Sequence, residues 1–445
     1  MWLRGLKVPK FRCFSTTTEP EGPCILSPIP GPCSTNLMNE MSCYQASPKL
    51  PFLTTSMCGA CANEKAMKSM MMAYQAKFRN FEPISEAHIT SAVKNMEPGS
   101  TTLSILSFKG SNHGSETMGV LTASHCDGKT KADLPAFNWP IAKFPQYKYP
   151  LEEFSCYNEQ QDNKCLTSVR ELIEKGRNDG CSVAGVIVEP IQDSNNNEAS
   201  DKFIKTLQKI CKENCCYFCI DETNTGCGAT GTLWSHEQIN LPEPPDAVTF
   251  SKKTQLSGFF HNIELNPQDG SRLQSTWSGD PSKLFMYESI LNVIEKDYLL
   301  CTVNDTGCCL KNQLVKLQQN HPFIENIRGK GTFLAFDLKC PGMRNEILNN
   351  LKNRGILVKS CGEKGIAIRP ALIFNQDHVG IFIENLNGIL CDYKKAPVLN
   401  KHRKKKIPKY KPPCPEPCPE PPCNPCKPPP LPTCGICSPK KKKPC

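Results

Sequence analysis

CCYFCIDETNTGCG, residues 215–228, and DAVTFSKK, residues 246–253, decide the fold of this chain. In each, a short apolar run stops at a charged residue: Asp221 in the first, the pair Lys252 and Lys253 in the second. Short apolar runs of this kind, rich in β-branched and aromatic residues, read as buried strands. Working outward, VAGVIVE at 183–189 and LSILSF at 103–108 repeat the pattern, while 202–211 and the Met-rich run 63–78 carry apolar residues at helical spacing. Strands that alternate with helices predict an α/β fold with a mostly parallel sheet. Ligands in such sheets collect at the carboxyl ends of the strands. Glu189, Asp221 and Lys253 all fall there.

The organisation follows from composition. Residues 1–18 hold Arg4, Lys7, Lys10 and Arg12, no acid, and a closing Ser/Thr cluster, which reads as a mitochondrial presequence or as a basic irregular N-terminus. Residues 19–57 are Pro-rich and without periodicity, so an irregular segment is expected. Residues 58–284 form the expected large domain, and 285–398 a smaller α+β domain that opens on the helix-like LFMYESILNVIEKDYLL and continues through the strand-like GTFLAFDL and GILVKS. Residues 399–445 are a Cys/Pro-rich basic tail with no hydrophobic face, expected to be extended and disordered.

The net charge of +10 lies in that tail, where 12 Lys/Arg face only Glu416 and Glu420. The body is near neutral, which removes the charge argument for nucleic-acid binding by it. Of 28 cysteines, seven sit in the tail; the scattered remainder read mostly as thiols in a large chain without a secretory leader. The tail cysteines admit a zinc-ligand spacing, a cross-linked structural arm of the kind found in sperm-tail and cuticle-like proteins, or plain solvated chain. No run approaches the ~18 apolar residues a membrane span needs.

Chemistry starts at Lys253. A lysine shielded from water has a depressed pKa and can form an imine with an aldehyde. Alone this is a weak signal, since most Lys-Lys pairs are solvated. Asp221 strengthens it, because pyridoxal phosphate uses a carboxylate against its pyridinium nitrogen. A phosphate site is expected where small residues enter a helix, and CGACANE at 58–64 offers one. The same Cys58-x-x-Cys61 also admits a thioredoxin-like redox pair.

The segments SMCGACANEKAMK, ILSFKGSNHGSETMG, PAFNWPIAKFPQYKYPLEEF, VAGVIVEPIQ, IDETNTGCGATGTLWSHE, AVTFSKK, STWSGDPSK and IRGKGTFLAFD follow in order the segments of the 4-aminobutyrate aminotransferases. Over most of its length the chain thus resembles the class-III, fold-type-I pyridoxal-phosphate aminotransferases. The resemblance implies a homodimer acting on amino and oxo acids, with Lys253 holding the cofactor and Asp221 at its ring nitrogen. It places Gly59, Ala60 and Asn63 at the phosphate, His113 and Asn224 beside the cofactor, Thr276 reaching in from a second subunit, and Glu189 as the active-site glutamate. Cys58 and Cys61 match cysteines that share an iron–sulfur cluster across the dimer.

The chain also departs from that pattern. A phenylalanine that stacks on the cofactor is Asn112, and the substrate-gripping arginine two residues after His113 gives way to Ser115 and Glu116. A second arginine, which would pair with Glu189, is Ala367. Smaller changes put Ala60 for serine, Thr223 for valine, Asn224 for glutamine and Ser257 for glycine. Several dozen residues expected ahead of Met57 are replaced by a short bridge. The resemblance therefore implies cofactor binding and an impaired substrate site, or a non-catalytic structural or interaction role on the same fold.

Overall fold

The computed structural model describes residues 46–395 apart from Pro48. The expected presequence, most of the expected irregular segment and the tail lie outside the described residues. Eleven strands are numbered here in chain order: β1 Phe52–Ser56, β2 Leu103–Phe108, β3 Ile141–Ala142, β4 Ser182–Val188, β5 Tyr217–Glu222, β6 Ala247–Phe250, β7 Ser257–His261, β8 Ile324–Lys330, β9 Phe333–Leu338, β10 Lys359–Cys361 and β11 Gly365–Ile368. Seven of them form one sheet in the order β1-β7-β6-β5-β4-β2-β3. The neighbours from β3 to β6 run parallel, and β7 and β1 are antiparallel additions at one edge. The mostly parallel α/β sheet expected from the sequence is therefore present.

Both faces of this sheet are covered, which is why its strands are almost wholly apolar. Alternation sorts the side chains: Val186 and Val188 pack with Phe203, Leu207, Leu166 and Val169, from helices Asp201–Glu213 and Ser155–Asn178, while Ile187 faces the other way. On that second face lies helix Gly59–Phe78, burying Met67 and Met70 against Ile105, Cys219 and Phe259. Gly185 lets it sit close, since a Cβ there would be 2.5 Å from Met70 Sδ.

The second sheet is antiparallel, β10-β11-β9-β8, and packs with helices Leu299–Asn320, Pro341–Asn353 and Gln376–Lys395 around Leu310, Leu314, Phe336, Ile347 and Leu386. It is tied to the loop after β4 by Arg328 donating to the Asn195 carbonyl, at 2.6 Å from Nη2, and by Gly362 N–H donating to the Ser194 carbonyl at 2.7 Å.

Three sequence expectations need correction. The segment read as irregular to residue 57 ends in a strand, β1, held by pairing with β7 along its full length. The helix read across 284–300 is two helices, Pro281–Lys296 and Leu299–Asn320, broken where Tyr298 turns left-handed at φ 50°. GILVKS is mostly coil, with only Lys359 and Ser360 of it in β10.

Glu222, next to Asp221, faces away from the ligand end. It accepts from the Ser235 and His236 N–H groups at 2.7 and 2.8 Å and from His236 Nδ1 at 2.7 Å, all buried. Burial pushes His236 down, but the Glu222 hydrogen bond and charge outweigh it and hold the imidazole above its ordinary value. Glu222→Ala leaves these donors unpaired and is expected to cost about 3–5 kcal/mol of stability. Urea denaturation checks this; a loss under about 1 kcal/mol contradicts a structural role of that size.

Candidate active site

Asp221 is the second-last residue of β5, with its side chain fully buried. Oδ2 accepts from His113 Nδ1 at 2.7 Å and from Asn63 Nδ2 at 2.8 Å; Oδ1 accepts from the Thr223 N–H at 2.9 Å, with Thr249 Oγ1 farther off at 3.3 Å. Asn63 also donates to the His113 carbonyl at 2.9 Å, so helix Gly59–Phe78 and the 112–114 turn meet at this carboxylate. Burial pushes Asp221 up, yet the hydrogen bond and charge of His113, joined by Thr223, outweigh it and hold the carboxyl below its usual range. An ionised buried acid is the result.

The helix start lies beside it. Cys58 caps the helix, and a Cβ on Gly59 would be 3.2 Å from Ser251 Cβ and 3.3 Å from Thr223 Cγ2. Gly59 is thus wedged between the ends of β5 and β6. Ala60 faces Gly114, where φ is +127° and an added Cβ would lie 2.5 Å from the Ala60 Cβ, so there is no room for a side chain. Gly59, Ala60, Asn63, His113 and Asp221 are therefore brought together.

Glu189 follows β4 and is buried. Its two oxygens accept from the Asn112 N–H at 2.9 Å and the Asp193 N–H at 3.1 Å. Burial and the nearby Asp221 charge drive its pKa well up, against the pull of those two donors. Ala367 is fully buried in β11 and offers it no charge. No ion pair to Glu189 occurs among the described residues.

The two lysines diverge. Lys252, at φ 60° after β6, reaches the Asn224 side-chain oxygen, and its charge is felt at Asp193. Lys253 donates to the Pro370 carbonyl at 2.7 Å and is held below its ordinary pKa by burial. Both line a cavity of about 240 Å³ shared with Asp193, Asn224, Lys359 and Arg369. Arg369 lies over the Phe333 ring, 3.3 Å from its centroid, and burial lowers it to about 10. Sequence reasoning missed Asp193, Lys359 and Arg369. Nothing in a local motif marks them, because they meet through the packing of the second sheet on the loop after β4.

Thr276 is exposed and shares no hydrogen bond with these residues. Cys58 and Cys61 bring their sulfurs to 3.5 Å, as free thiols. Two thiols are half of a four-thiolate cluster site, and no group of three metal-ligating side chains occurs among the described residues. Ser115 and Glu116 are exposed, and Glu116 folds back to accept from the Ser115 N–H at 3.1 Å.

The chain matches the family "Aminotransferase class-III" over residues 33–390. It is 42% identical over 344 residues to the mitochondrial 4-aminobutyrate aminotransferase of Mus musculus, covering 77% of this chain and 69% of that one. It is also 42% identical over 351 residues to the 4-aminobutyrate aminotransferase of Dictyostelium discoideum, covering 78% and 70%. Among solved structures, lysine aminotransferase from M. tuberculosis superposes with a TM-score of 0.69 at 24% identity, covering 80% of this chain and 79% of that one. An omega-transaminase from Thermomicrobium roseum gives 0.67 at 22%, covering 81% and 79%. Both structures share the fold.

Glu189 sets a pH signature. A carboxyl raised on folding contributes stability that is full below its unfolded pKa, about 4.3, and is lost as pH rises through the folded value. The stability of the parent relative to Glu189→Gln is therefore expected to fall as pH rises above that range. Denaturation midpoints across pH check it, and a difference that stays flat or rises contradicts it.

Proposed function

The chain belongs to the class-III aminotransferases, and on that premise we propose that it is a pyridoxal-phosphate protein of the 4-aminobutyrate type whose cofactor site is kept and whose substrate site is altered. The observation that carries this is Asp221: a fully buried carboxylate near the end of β5 that accepts from His113, Thr223 and Asn63, the last on the first turns of helix Gly59–Phe78.

The residues present fit the cofactor. Asp221 Oδ1 has one short donor, Thr223, and only the long Thr249 contact besides, so it keeps a place for a pyridinium N–H. The free N–H groups at Gly59 and Ala60 suit a phosphate. When bound, the cofactor supplies the electron sink and amino-group carrier of transamination. Asn63 and His113 orient Asp221 and keep it charged. Asn224 holds the Lys252 ammonium on the cavity side. The sequence pointed to Lys253 as the cofactor lysine; its depressed pKa supports that, but its ammonium is turned to Pro370, and the geometry favours Lys252, next to Asn224, as the residue that carries the cofactor.

The substrate side differs. Exposed Ser115 and Glu116 stand where a gripping arginine is expected, Asn112 offers no ring to stack, and Ala367 leaves Glu189 without a cation. Loss of a bidentate charge-assisted contact in a closed site removes several kcal/mol, so 4-aminobutyrate turnover with 2-oxoglutarate should be at least about a hundredfold below that of the relatives. The same changes support a second reading, a non-catalytic structural or interaction protein, with the Cys/Pro tail as a cross-linking arm. A homodimer is proposed, with Thr276 exposed to reach the cofactor of a second copy and Cys58 and Cys61 meeting their counterparts around an iron–sulfur cluster. Mitochondrial localisation rests on residues 1–18 and the mitochondrial relatives.

The purified chain with pyridoxal phosphate is expected to show lysine-linked cofactor absorbance, and borohydride reduction followed by peptide mapping to mark Lys252. A mark on Lys253 reverses the lysine assignment. No absorbance overturns the cofactor reading, and cofactor absorbance with no glutamate formed from any amine and 2-oxoglutarate favours the non-catalytic reading.

A further inference from the structure

The cavity beside the lysine pair is cationic: Lys252, Lys253, Lys359 and Arg369 line it, against the single carboxylate of Asp193. Three of these cations are bonded to neutral oxygens: Lys252 to Asn224, Lys253 to the Pro370 carbonyl, and Arg369 to Asn196 and the Leu334 and Ile368 carbonyls. Lys359 differs. Its side chain is 50% exposed, and its ammonium lies 2.6 Å from Oδ2 of Asp193, whose own side chain is 5% exposed.

Lys359 is the direct cross-strand partner of Ala367 in the β10–β11 pair. Opposite residues in antiparallel strands share a face with Cβ atoms about 5 Å apart. Ala367 ends at its Cβ, so Lys359 is the side chain that carries charge away from this point of the sheet. It reaches Asp193, whose backbone N–H donates to Glu189 Oε1 at 3.1 Å. The cation is therefore linked through Asp193 to Glu189, which has no ion pair among the described residues.

We propose that Lys359 grips a substrate carboxylate from β10, and that the cavity takes small dicarboxylates with Arg369 facing the second carboxylate. Its place in catalysis rests on the aminotransferase reading; the binding itself does not. An ammonium has three N–H donors and Asp193 occupies one, so an incoming carboxylate joins or displaces Asp193 without proton or electron transfer. A lysine is a point charge without the fixed fork of a guanidinium. The site should thus accept dicarboxylates of more than one chain length.

Succinate, which has neither an amino nor an oxo group, separates binding from turnover. Calorimetric titration of the cofactor-loaded full chain is expected to show binding that weakens about tenfold in Lys359→Gln and returns in Lys359→Arg, the scale of one charge-assisted contact. Asp193→Asn removes the competing carboxylate and should tighten it. If Lys359 merely holds the loop through Asp193, both Lys359→Gln and Asp193→Asn weaken binding, and that result overturns the proposal. So does an unchanged affinity in Lys359→Gln, or a parent chain that does not bind succinate. Succinate binding with this pattern but no amino transfer leaves the Lys359 assignment standing and removes the transaminase reading.

Discussion

The buried carboxylate of Asp221 is the constraint around which the rest of the site is arranged. A charge taken out of water survives only if donors surround it. Here those donors come from four separate segments: Asn63 on the first long helix, His113 on the turn after β2, Thr223 just beyond β5, and Thr249 on β6. Holding Asp221 ionised therefore fixes the helix against the sheet, and with it Gly59 against Ser251 and Thr223. The next residue, Glu222, does the equivalent work on the opposite side of β5 with His236. One strand end thus anchors the ligand side and the core side at once.

The large-domain strands were legible because a parallel sheet covered on both faces writes continuous apolar runs into the sequence. LSILSF coincides with β2. β1 was not legible, since FLTTS alternates weakly and owes its conformation to pairing with β7, far away in the chain. The single helix read across 284–300 failed because its apolar pattern runs through the break at Tyr298. Asp193, Lys359 and Arg369 carry no motif. They become neighbours only when the antiparallel sheet docks on the loop after β4, which is tertiary information. The lysine pair shows the same limit: the sequence points to Lys253, and only the backbone turn at Lys252 shows that the two side chains go in different directions.

The site divides into a half whose contacts are dense and buried and a half whose contacts are sparse. Around Asp221 every donor is within the body. Around Ser115, Glu116 and Ala367 the expected cations are gone, and Glu189 is left to two backbone N–H groups, with its pKa driven upward. The remaining positive charge is gathered instead around Asp193, on Lys359, Arg369 and the lysine pair. On the proposed reading the substrate half is a rearranged charge distribution rather than an emptied one.

The most direct test of this account is the affinity for pyridoxal phosphate of the parent chain and of Asp221→Asn, followed by absorbance across pH. If an ionised Asp221 is what the site is built to present, the amide weakens cofactor binding by about a hundredfold or more, the scale expected for losing a buried charge-assisted contact, and changes the pH profile of the bound spectrum. Equal affinity and an unchanged profile would contradict it.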